Sequence, residues 1–144
     1  MNSLSQIRHL TLLVLMLASA CSSTQTSQEA AAIASSNVSI VYLYRMHDSS
    51  GGAVGVDIKD NGIDIGTLQD GTYFIYHANP GQHVFTATTD TSSTQNLTLQ
   101  TGATYYVRAS VVRSQDLFQP SLAVVYYLQG QAAVQNLNRL NYHE

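Results

Sequence analysis

The sequence after residue 36 predicts a mainly β domain, an antiparallel β-sandwich of about seven or eight strands with a short C-terminal helix. Short runs rich in Val, Ile, Tyr and Thr alternate with joints rich in Gly, Asn, Asp and Ser. Strands at this spacing are typical of antiparallel sheets that form a sandwich or a barrel. Residues 37–144 are long enough to enclose one hydrophobic core, so we predict a single domain.

Eight segments have the composition of strands. Polar joints such as Asp48-Ser-Ser-Gly-Gly52 and Asp90-Thr-Ser-Ser93 separate most of them. Each segment is bounded by residues that favour turns, which supports separate strands rather than a few long ones. The predicted strands are residues 38–46, 53–59, 63–68, 72–78, 83–89, 95–100, 104–113 and 121–128.

The dipeptide Asn61-Gly62 predicts a tight hairpin, because it is the preferred loop where two residues adopt positive φ. The cross-strand pairs expected from this loop are Asp60–Ile63, Lys59–Asp64, Ile58–Ile65 and Val56–Thr67. One face of the hairpin is then apolar and carries Val56, Ile58, Ile63 and Ile65. The other face carries Asp57, Lys59, Asp64 and Gly66, and a one-residue slip would mix the two faces.

A second turn is predicted at Asn79-Pro80-Gly81-Gln82, where Pro and Gly occupy the places that a type II turn favours. A tight hairpin at this turn would place Tyr76 opposite Phe85 and Ala78 opposite His83. The residues that would then share a core face are Phe74, Tyr76, Phe85 and Ala87.

The two long segments 104–113 and 121–128 predict a central strand pair, joined by a loop that contains Asp116 and Pro120. The expected core residues of this pair are Val107, Val111, Leu122, Val124 and Val125. The tail from Gln131 to Asn141 changes to a helical period and predicts a short amphipathic helix that covers an open edge or end of the sheets. A C-terminal strand is the alternative for this tail.

The amino-terminal segment has the pattern of an export signal. Arg8 precedes an uncharged stretch from Leu10 to Ala20, and Cys21, the single cysteine of the chain, follows at once. This stretch is too short to span a bilayer, which needs about 20 residues, but it has the length of a signal-peptide core. We therefore divide the chain into a signal peptide (1–20), a polar tether (21–36) and the β-sandwich domain (37–144).

The junction Ala18-Ser19-Ala20-Cys21 resembles the lipobox of bacterial lipoproteins. The resemblance implies cleavage between Ala20 and Cys21, acylation of the Cys21 sulfur and acylation of the new amino terminus. Ser22 after the cysteine, rather than Asp, implies retention at the periplasmic face of the outer membrane. A secreted protein with a free Cys21 thiol is the alternative. The small polar residues that follow Cys21 predict a flexible tether.

The charge balance excludes one class of partner. The net charge is −3 at pH 7 with neutral histidines. No basic patch is present that would attract a phosphate backbone, so we expect no nucleic-acid partner. A single cysteine cannot form an internal disulfide, and the fold therefore depends on its core.

Several short patterns together resemble a bacterial lipoprotein domain family of unknown function. They are Tyr42-x-Tyr44-Arg45, Gly66-Thr-Leu68, Gly71-Thr-Tyr73-Phe74, Pro80-Gly81-x-His83 and Gly102-x-Thr104-Tyr105-Tyr106-Val107-Arg108. The Pro-Gly-x-His turn is also similar to that of PEGA-type, prealbumin-like β-sandwich modules of envelope proteins. The resemblance implies a sandwich on a lipid tether and brings no catalytic residue.

The sequence contains none of the common catalytic motifs: Gly-x-Ser-x-Gly, His-Glu-x-x-His and the Gly-Lys-Ser/Thr phosphate loop are absent. His77 and His83 flank the second turn, but the expected register points them to opposite faces, so no shared metal is expected. Asp57, Asp60 and Asp64 are expected to be ordinary solvated turn acids rather than a calcium site. We expect no cofactor, no metal and no catalytic residue.

Nine tyrosines, including the pairs Tyr105-Tyr106 and Tyr126-Tyr127, are the main candidates for a binding surface. We expect a non-catalytic envelope lipoprotein whose β-sandwich binds another envelope component, with the membrane contacted through its lipid. One alternative is a peptidoglycan or carbohydrate-binding module, in which tyrosine rings stack on sugars. A metal-assisted hydrolase that uses Asp, His and Tyr is a third hypothesis.

Overall fold

Two β-sheets packed face to face form the domain, in a computed structural model that describes residues 37–48 and 52–141. The elements in chain order are β1 (Ser39–Arg45), β2 (Val56–Asp60), β3 (Ile63–Leu68), β4 (Thr72–Ala78), β5 (Gly81–Thr88), β6 (Ser92–Leu99), β7 (Thr104–Ser114), β8 (Leu117–Val125), α1 (Tyr127–Val134) and β9 (Asn138–Arg139). The predicted fold class, a mainly β sandwich with a short C-terminal helix, is confirmed. The predicted segments 1–20 and 21–36, with Ala20 and Cys21, lie outside the described residues.

One sheet has five strands in the order β8-β7-β1-β4-β9, and the other has four in the order β3-β2-β5-β6. Most neighbours are antiparallel, as predicted, but β1 pairs with β7 and β4 pairs with β9 in parallel. Because β1 and β7 run in the same direction, both strands begin at the same end of the sandwich. β4 is antiparallel to β1, and β8 is antiparallel to β7, so β4 and β8 both finish at that end.

The core lies between the two sheets and follows the alternation of apolar residues along each strand. Inward-facing side chains of both sheets form one continuous apolar cluster. Its fully buried members are Val41, Leu43, Val56, Ile58, Ile65, Leu68, Phe74, Ala78, Phe85, Ala87, Leu99, Val107, Ala109 and Val111. The outer face of the five-stranded sheet carries the residues that alternate with this set, among them Tyr42, Tyr73 and Tyr106.

The Asn61-Gly62 hairpin is confirmed, with positive φ at both residues (48° and 85°). The pairs Asp60–Ile63 and Lys59–Asp64 form as predicted. A β-bulge then shifts the register, so the pairs Ile58–Ile65 and Val56–Thr67 are wrong: Ile58 lies opposite Gly66 and Val56 opposite Leu68. Bulges add an unpaired residue to one strand and are common at sheet edges, and β3 is an edge strand.

The inward face of this hairpin also differs from the prediction at one position. Ile63 is 71% exposed, because β3 is an edge strand and Ile63 lies beside the turn. Asp60 takes an inward position instead and is 4% exposed.

The turn at Pro80 does not close a hairpin within a sheet. β4 belongs to the five-stranded sheet and β5 to the four-stranded sheet, so this turn crosses from one layer to the other. The predicted core face is still formed: the rings of Tyr76 and Phe85 meet edge to face at 6.4 Å, across the two layers. These side chains would share a core in a hairpin and also in a crossing between sheets. The turn motif alone does not distinguish the two arrangements.

Strands β7 and β8 pair as predicted, but they are not central, since β8 is the edge of its sheet. Val124 is therefore 42% exposed rather than buried. The connecting loop is only Gln115-Asp116, both with positive φ. Pro120 lies inside β8, where its missing N–H is tolerated because proline in sheets is confined to edges and bulges.

The tail contains both of the alternatives that its sequence suggested. The helix begins earlier than predicted, at Tyr127, and ends at Val134, while Asn138–Arg139 forms the short strand β9 beside β4. Gly130 fixes the position of α1, because a Cβ added there would lie 2.2 Å from Cγ of Tyr106. The helix can therefore approach the sheet closely only with glycine at this position.

Candidate functional site

A buried polar cluster joins the two sheets near the Pro80 turn. Asp60 Oδ2 accepts a hydrogen bond from the Tyr76 hydroxyl (2.9 Å) and lies 2.7 Å from Nδ1 of His83. The other ring nitrogen, Nε2, lies 2.8 Å from the carbonyl oxygen of Asn79. Asp60 and His83 are only 4% and 9% exposed. The expectation that Asp60 is a solvated turn acid is therefore wrong.

The geometry of this cluster restricts its chemistry. A backbone carbonyl can only accept, so Nε2 of His83 carries a hydrogen and donates to Asn79. One proton then lies between Nδ1 of His83 and Oδ2 of Asp60. If the proton is on the ring, the two groups form an imidazolium–carboxylate pair; if it is on the acid, they form a neutral pair. Asp60, His83 and Tyr76 are the residue types of the hydrolase hypothesis, but both nitrogens of His83 are bonded within the protein. The ring lacks the solvent-facing nitrogen that a general base needs, and the contacts suit a structural link between the sheets.

The other polar candidates are ordinary surface groups. His77 is exposed while His83 is buried, so the two rings point to opposite faces as expected. Asp57 accepts a hydrogen bond from Thr67, and Lys59 pairs with Asp64 across the hairpin at 3.4 Å, as predicted. No group of three or more His, Cys, Asp or Glu residues that could hold a metal occurs within residues 37–48 and 52–141.

A row of tyrosines crosses the outer face of the five-stranded sheet. The ring of Tyr42 on β1 stacks on Tyr106 of β7 at 4.8 Å and on Tyr73 of β4 at 6.2 Å. Neighbouring strands are about 4.8 Å apart, so the rings of Tyr42 and Tyr106, which are in register, stack directly. Tyr73 lies diagonal to Tyr42, which explains the longer distance. Tyr127 of α1 adds an edge-to-face contact with Tyr106 at 5.5 Å.

The tyrosine rings of this row pack against each other, so they do not form an open surface on which a ligand could stack. Burial raises the pKa of Tyr106, with smaller contributions from Tyr42 and Tyr127. Burial likewise raises the pKa of Tyr44, against an opposing effect of Arg108. Both hydroxyls stay protonated at neutral pH. The ring faces of Tyr42 and Tyr106 contact each other, which leaves little of them for a sugar to stack on.

A groove of about 420 Å³ lies along β3, beside the C-terminal segment. Gly66, with φ of +143°, lets the strand approach the ring of Phe74, and a Cβ at this position would lie 3.2 Å from that ring. The lining mixes polar and apolar groups: Asp64, Ile65, Gly66, Thr67, Gln69, Phe74, Leu140 and Asn141. A second groove of about 320 Å³ borders His83, whose ring nitrogens are already bonded.

The two ends of the sandwich differ in charge. We call the end where β1 begins the proximal end; its four outermost segments are residues 37–38, 79–80, 100–103 and 126–128. The Asn61-Gly62 turn lies at the same end but further back, level with Val84. Hydrogen bonds from Ile40 to Ala103 and from Gly102 to Val38 hold two of these segments together. None of the four segments contains Asp, Glu, Lys or Arg.

The opposite end, which we call the distal end, includes the loop segments 46–48, 69–71, 89–91 and 115–116, beside the uncharged segments 52–55 and 135–137. Each of the four contains an aspartate. His47 pairs with Asp70 at 2.9 Å, Arg113 pairs with Asp116 at 2.9 Å, and Asp90 accepts a hydrogen bond from the Phe118 amide. The hydrogen bond from His47 is the main cause that lowers the pKa of Asp70. The charged side chains of the loops thus gather at the distal end.

An apolar patch lies at the proximal end, directly after β8. Tyr126, Tyr127 and Leu128 are 88%, 52% and 77% exposed. The tyrosine pair was a sequence candidate, but Leu128 and the uncharged surroundings become visible only when the strand order brings the four proximal segments together. The buried Asp60–His83 pair was also missed. The sequence does contain a sign of this pair: Asp60 follows Val56 and Ile58 at the next inward position of the strand, where an apolar residue is expected.

The fold and these surfaces define a small β-sandwich module with an aromatic outer face, an uncharged end and a charged end. The chain matches the family described as Protein of unknown function (DUF2846) over residues 35–120, and it belongs to that family. No curated protein matches the chain. The match covers β1 to β7 and the first part of β8, and the patch at Tyr126–Leu128 lies beyond it. No helix within the described parts of the chain is long and apolar enough to cross a membrane.

Proposed function

We propose that this protein is a bacterial envelope lipoprotein, anchored by acyl chains on Cys21, whose β-sandwich is a non-catalytic binding or structural module in the periplasm. The observation that carries the proposal is the position of Cys21. The family match begins at residue 35 and β1 begins at Ser39. The cysteine therefore lies outside both, directly after the uncharged stretch Leu10–Ala20.

The lipid anchor accounts for the single cysteine of the chain. A lone cysteine in an exported protein needs a reason, and acylation supplies one. One acyl chain binds a membrane marginally, whereas two or more anchor a protein stably, at about 0.8 kcal/mol per buried methylene. Ser22 supports the outer membrane as the location, and the likeness to PEGA-type modules supports an envelope setting.

The binding role is supported by what the module displays. Its buried titratable cluster is bonded internally, which leaves loops, grooves and an aromatic face as the means of recognition. The charged distal loops are the surface that we assign to another envelope component, because charges at a binding surface steer encounters and select partners.

Replacement of the anchor residue tests this proposal. The Cys21→Ala variant should lose incorporation of a labelled fatty acid, and it should either become soluble in the periplasm or accumulate as the uncleaved precursor. The neighbouring variant Ser22→Ala should keep both the label and the membrane location. Mature, membrane-bound Cys21→Ala protein would refute the proposal. The variant Ser22→Asp tests the location, since it should shift the protein to the inner membrane.

A carbohydrate-binding function is the second candidate, because Tyr126 and Tyr127 are exposed enough to stack on sugar rings. Isolated peptidoglycan should then retain the purified protein, and the paired variant Tyr126→Ser/Tyr127→Ser should abolish retention. The variant Ile63→Ser, which removes an exposed apolar side chain elsewhere, is the control. Absence of retention by peptidoglycan would remove this candidate.

A further inference from the structure

The strand order places the exposed patch Tyr126–Leu128 at the end of the sandwich where the chain from Cys21 enters. β1 begins at Ser39, and its second residue, Ile40, lies beside Thr104 at the start of β7. Val125, the last residue of β8, lies beside Tyr106 of β7. The three residues after Val125 therefore project from the end at which β1 begins.

We propose that the proximal end lies against the bilayer that holds the acylated Cys21, with Tyr126, Tyr127 and Leu128 at the level of the lipid headgroups. This inference rests on the proposed acylation. A fully extended chain between Cys21 and Ser39 spans at most about 65 Å. The proximal end therefore stays near the membrane surface, where a weak contact has a high effective concentration.

The chemistry of the patch suits a lipid surface. Tyrosine is enriched where a membrane meets water, because its ring is apolar and its hydroxyl stays hydrated. Leu128 offers an aliphatic side chain that gains free energy on leaving water. The four proximal segments carry no charged side chain that would have to lose water on contact.

The absence of charge from these segments also specifies the lipid. Binding to anionic headgroups depends on Lys and Arg close to the surface, and the proximal segments contain neither. We therefore expect the contact to form on zwitterionic phospholipids and to be insensitive to salt, because salt screens only charged interactions.

The patch is held in place rather than loose. The ring of Tyr127 packs edge to face on Tyr106, which is 4% exposed, and Gly130 keeps α1 against the same ring. A preorganised apolar group needs less ordering when it binds. A second copy of the chain is a poorer occupant, since three side chains fall short of the about 800 Å² per partner that stable protein interfaces bury.

The chain contains no tryptophan, so a single substitution gives a fluorescent probe at a chosen site. The full-length acylated protein, purified from membranes as Tyr126→Trp, is reconstituted into phosphatidylcholine and phosphatidylethanolamine vesicles that contain brominated acyl chains. The matched control is Leu117→Trp, at a 47% exposed position beside the distal turn. We expect a blue-shifted and quenched emission at position 126, unchanged in high salt, and a water-like, unquenched emission at position 117.

Three results would overturn the inference. Unquenched, water-like emission at position 126 would show that the patch faces solvent. A blue shift without quenching by brominated lipid would show that protein covers it, as in a dimer. Equal quenching at positions 126 and 117 would show that the module lies on its side. Intact mass of the same samples reports acylation separately: an unmodified Cys21 refutes the anchor, whereas quenching data on acylated protein judge the contact alone.

Discussion

The proximal and distal ends of the sandwich are held by different interactions. At the proximal end, the Asn79 loop is bonded to the buried His83, and Tyr127 packs on a buried ring. At the distal end, the His47–Asp70 pair links two loops, and Arg113 pairs with the 91% exposed Asp116 within the β7–β8 turn. One buried contact also occurs there, since the guanidinium of Arg45 donates to the carbonyl of Val54. Buried pairs are costly to break, whereas exposed pairs contribute little.

This difference suggests different tasks for the two ends. A rigid, uncharged end can lie against a lipid surface without desolvating charge. A charged end held by weak surface pairs can rearrange its side chains around a partner.

Truncation of the buried carboxylate should cause the largest loss of stability. The variant Asp60→Ala removes the acceptor of Tyr76 and leaves a polar nitrogen of His83 buried, which should lower the free energy of unfolding by about 3–5 kcal/mol. Chemical denaturation measures this change. The control Asp64→Ala removes an exposed acid of the same hairpin and should cost under about 1 kcal/mol. Equal effects of the two variants would contradict a structural role of the cluster.

Gly130 should be the next most sensitive position. A methyl group in Gly130→Ala would collide with Tyr106, so helix α1 must move away from the sheet at a cost of about 1–3 kcal/mol. Without this collision, alanine would stabilise a helix relative to glycine, so the direction of the change is diagnostic. The exposed neighbour Gln131→Ala is the control and should be neutral. Increased stability of Gly130→Ala would show that α1 does not pack as described.

The hairpin turn gives an intermediate effect that depends on the backbone alone. Gly62 has φ of +85° and no atom within 4 Å of an added Cβ. The variant Gly62→Val should therefore lose about 1–2 kcal/mol through left-handed strain without any clash. Gly62→Asn should be milder, since asparagine tolerates this conformation. Thermal unfolding of both variants measures the difference, and equal melting temperatures would argue against the turn.

The smallest effect is expected at the distal pair His47–Asp70. The hydrogen bond from His47 lowers the pKa of Asp70 in the folded state. A lowered pKa stabilises the fold above the pKa of the unfolded chain and loses this contribution as pH falls through the folded value. Because the pair is on the surface, Asp70→Asn should cost under about 1 kcal/mol at neutral pH. The difference from the wild type should disappear as pH falls through the lowered pKa of Asp70, and a difference that grows in acid would contradict the assignment.

The local parts of this fold were predictable from the sequence. Asn61-Gly62 encodes its own positive φ values, and the alternation along β2, β4, β5 and β7 predicted core residues that the structure buries, among them Ile58, Phe85 and Val107. The pairing of distant strands was not predictable in the same way. Nothing local at Pro80 distinguishes a hairpin from a crossing between sheets. The one local sign that β8 is an edge strand is Pro120, which was expected in the loop before the strand.

The candidate surfaces, too, were predictable only where their residues are neighbours in the sequence. Tyr126 and Tyr127 stood out as a pair, but Asp60 and His83 are 23 positions apart and meet only through the pairing of β2 with β5. The uncharged proximal end is likewise assembled from four separate segments, each unremarkable alone. Surfaces built by topology are visible only after the strand order is known.

The most direct test of the contrast between the ends is a comparison of two nitroxide labels on the acylated protein in vesicles, one at position 126 and one at position 117. Electron paramagnetic resonance compares collisions with oxygen, which dissolves in lipid, and with a water-soluble nickel chelate. We predict that oxygen dominates at position 126 and the chelate at position 117. Equal preference for the chelate at both positions would contradict the assignment of the uncharged end to the membrane.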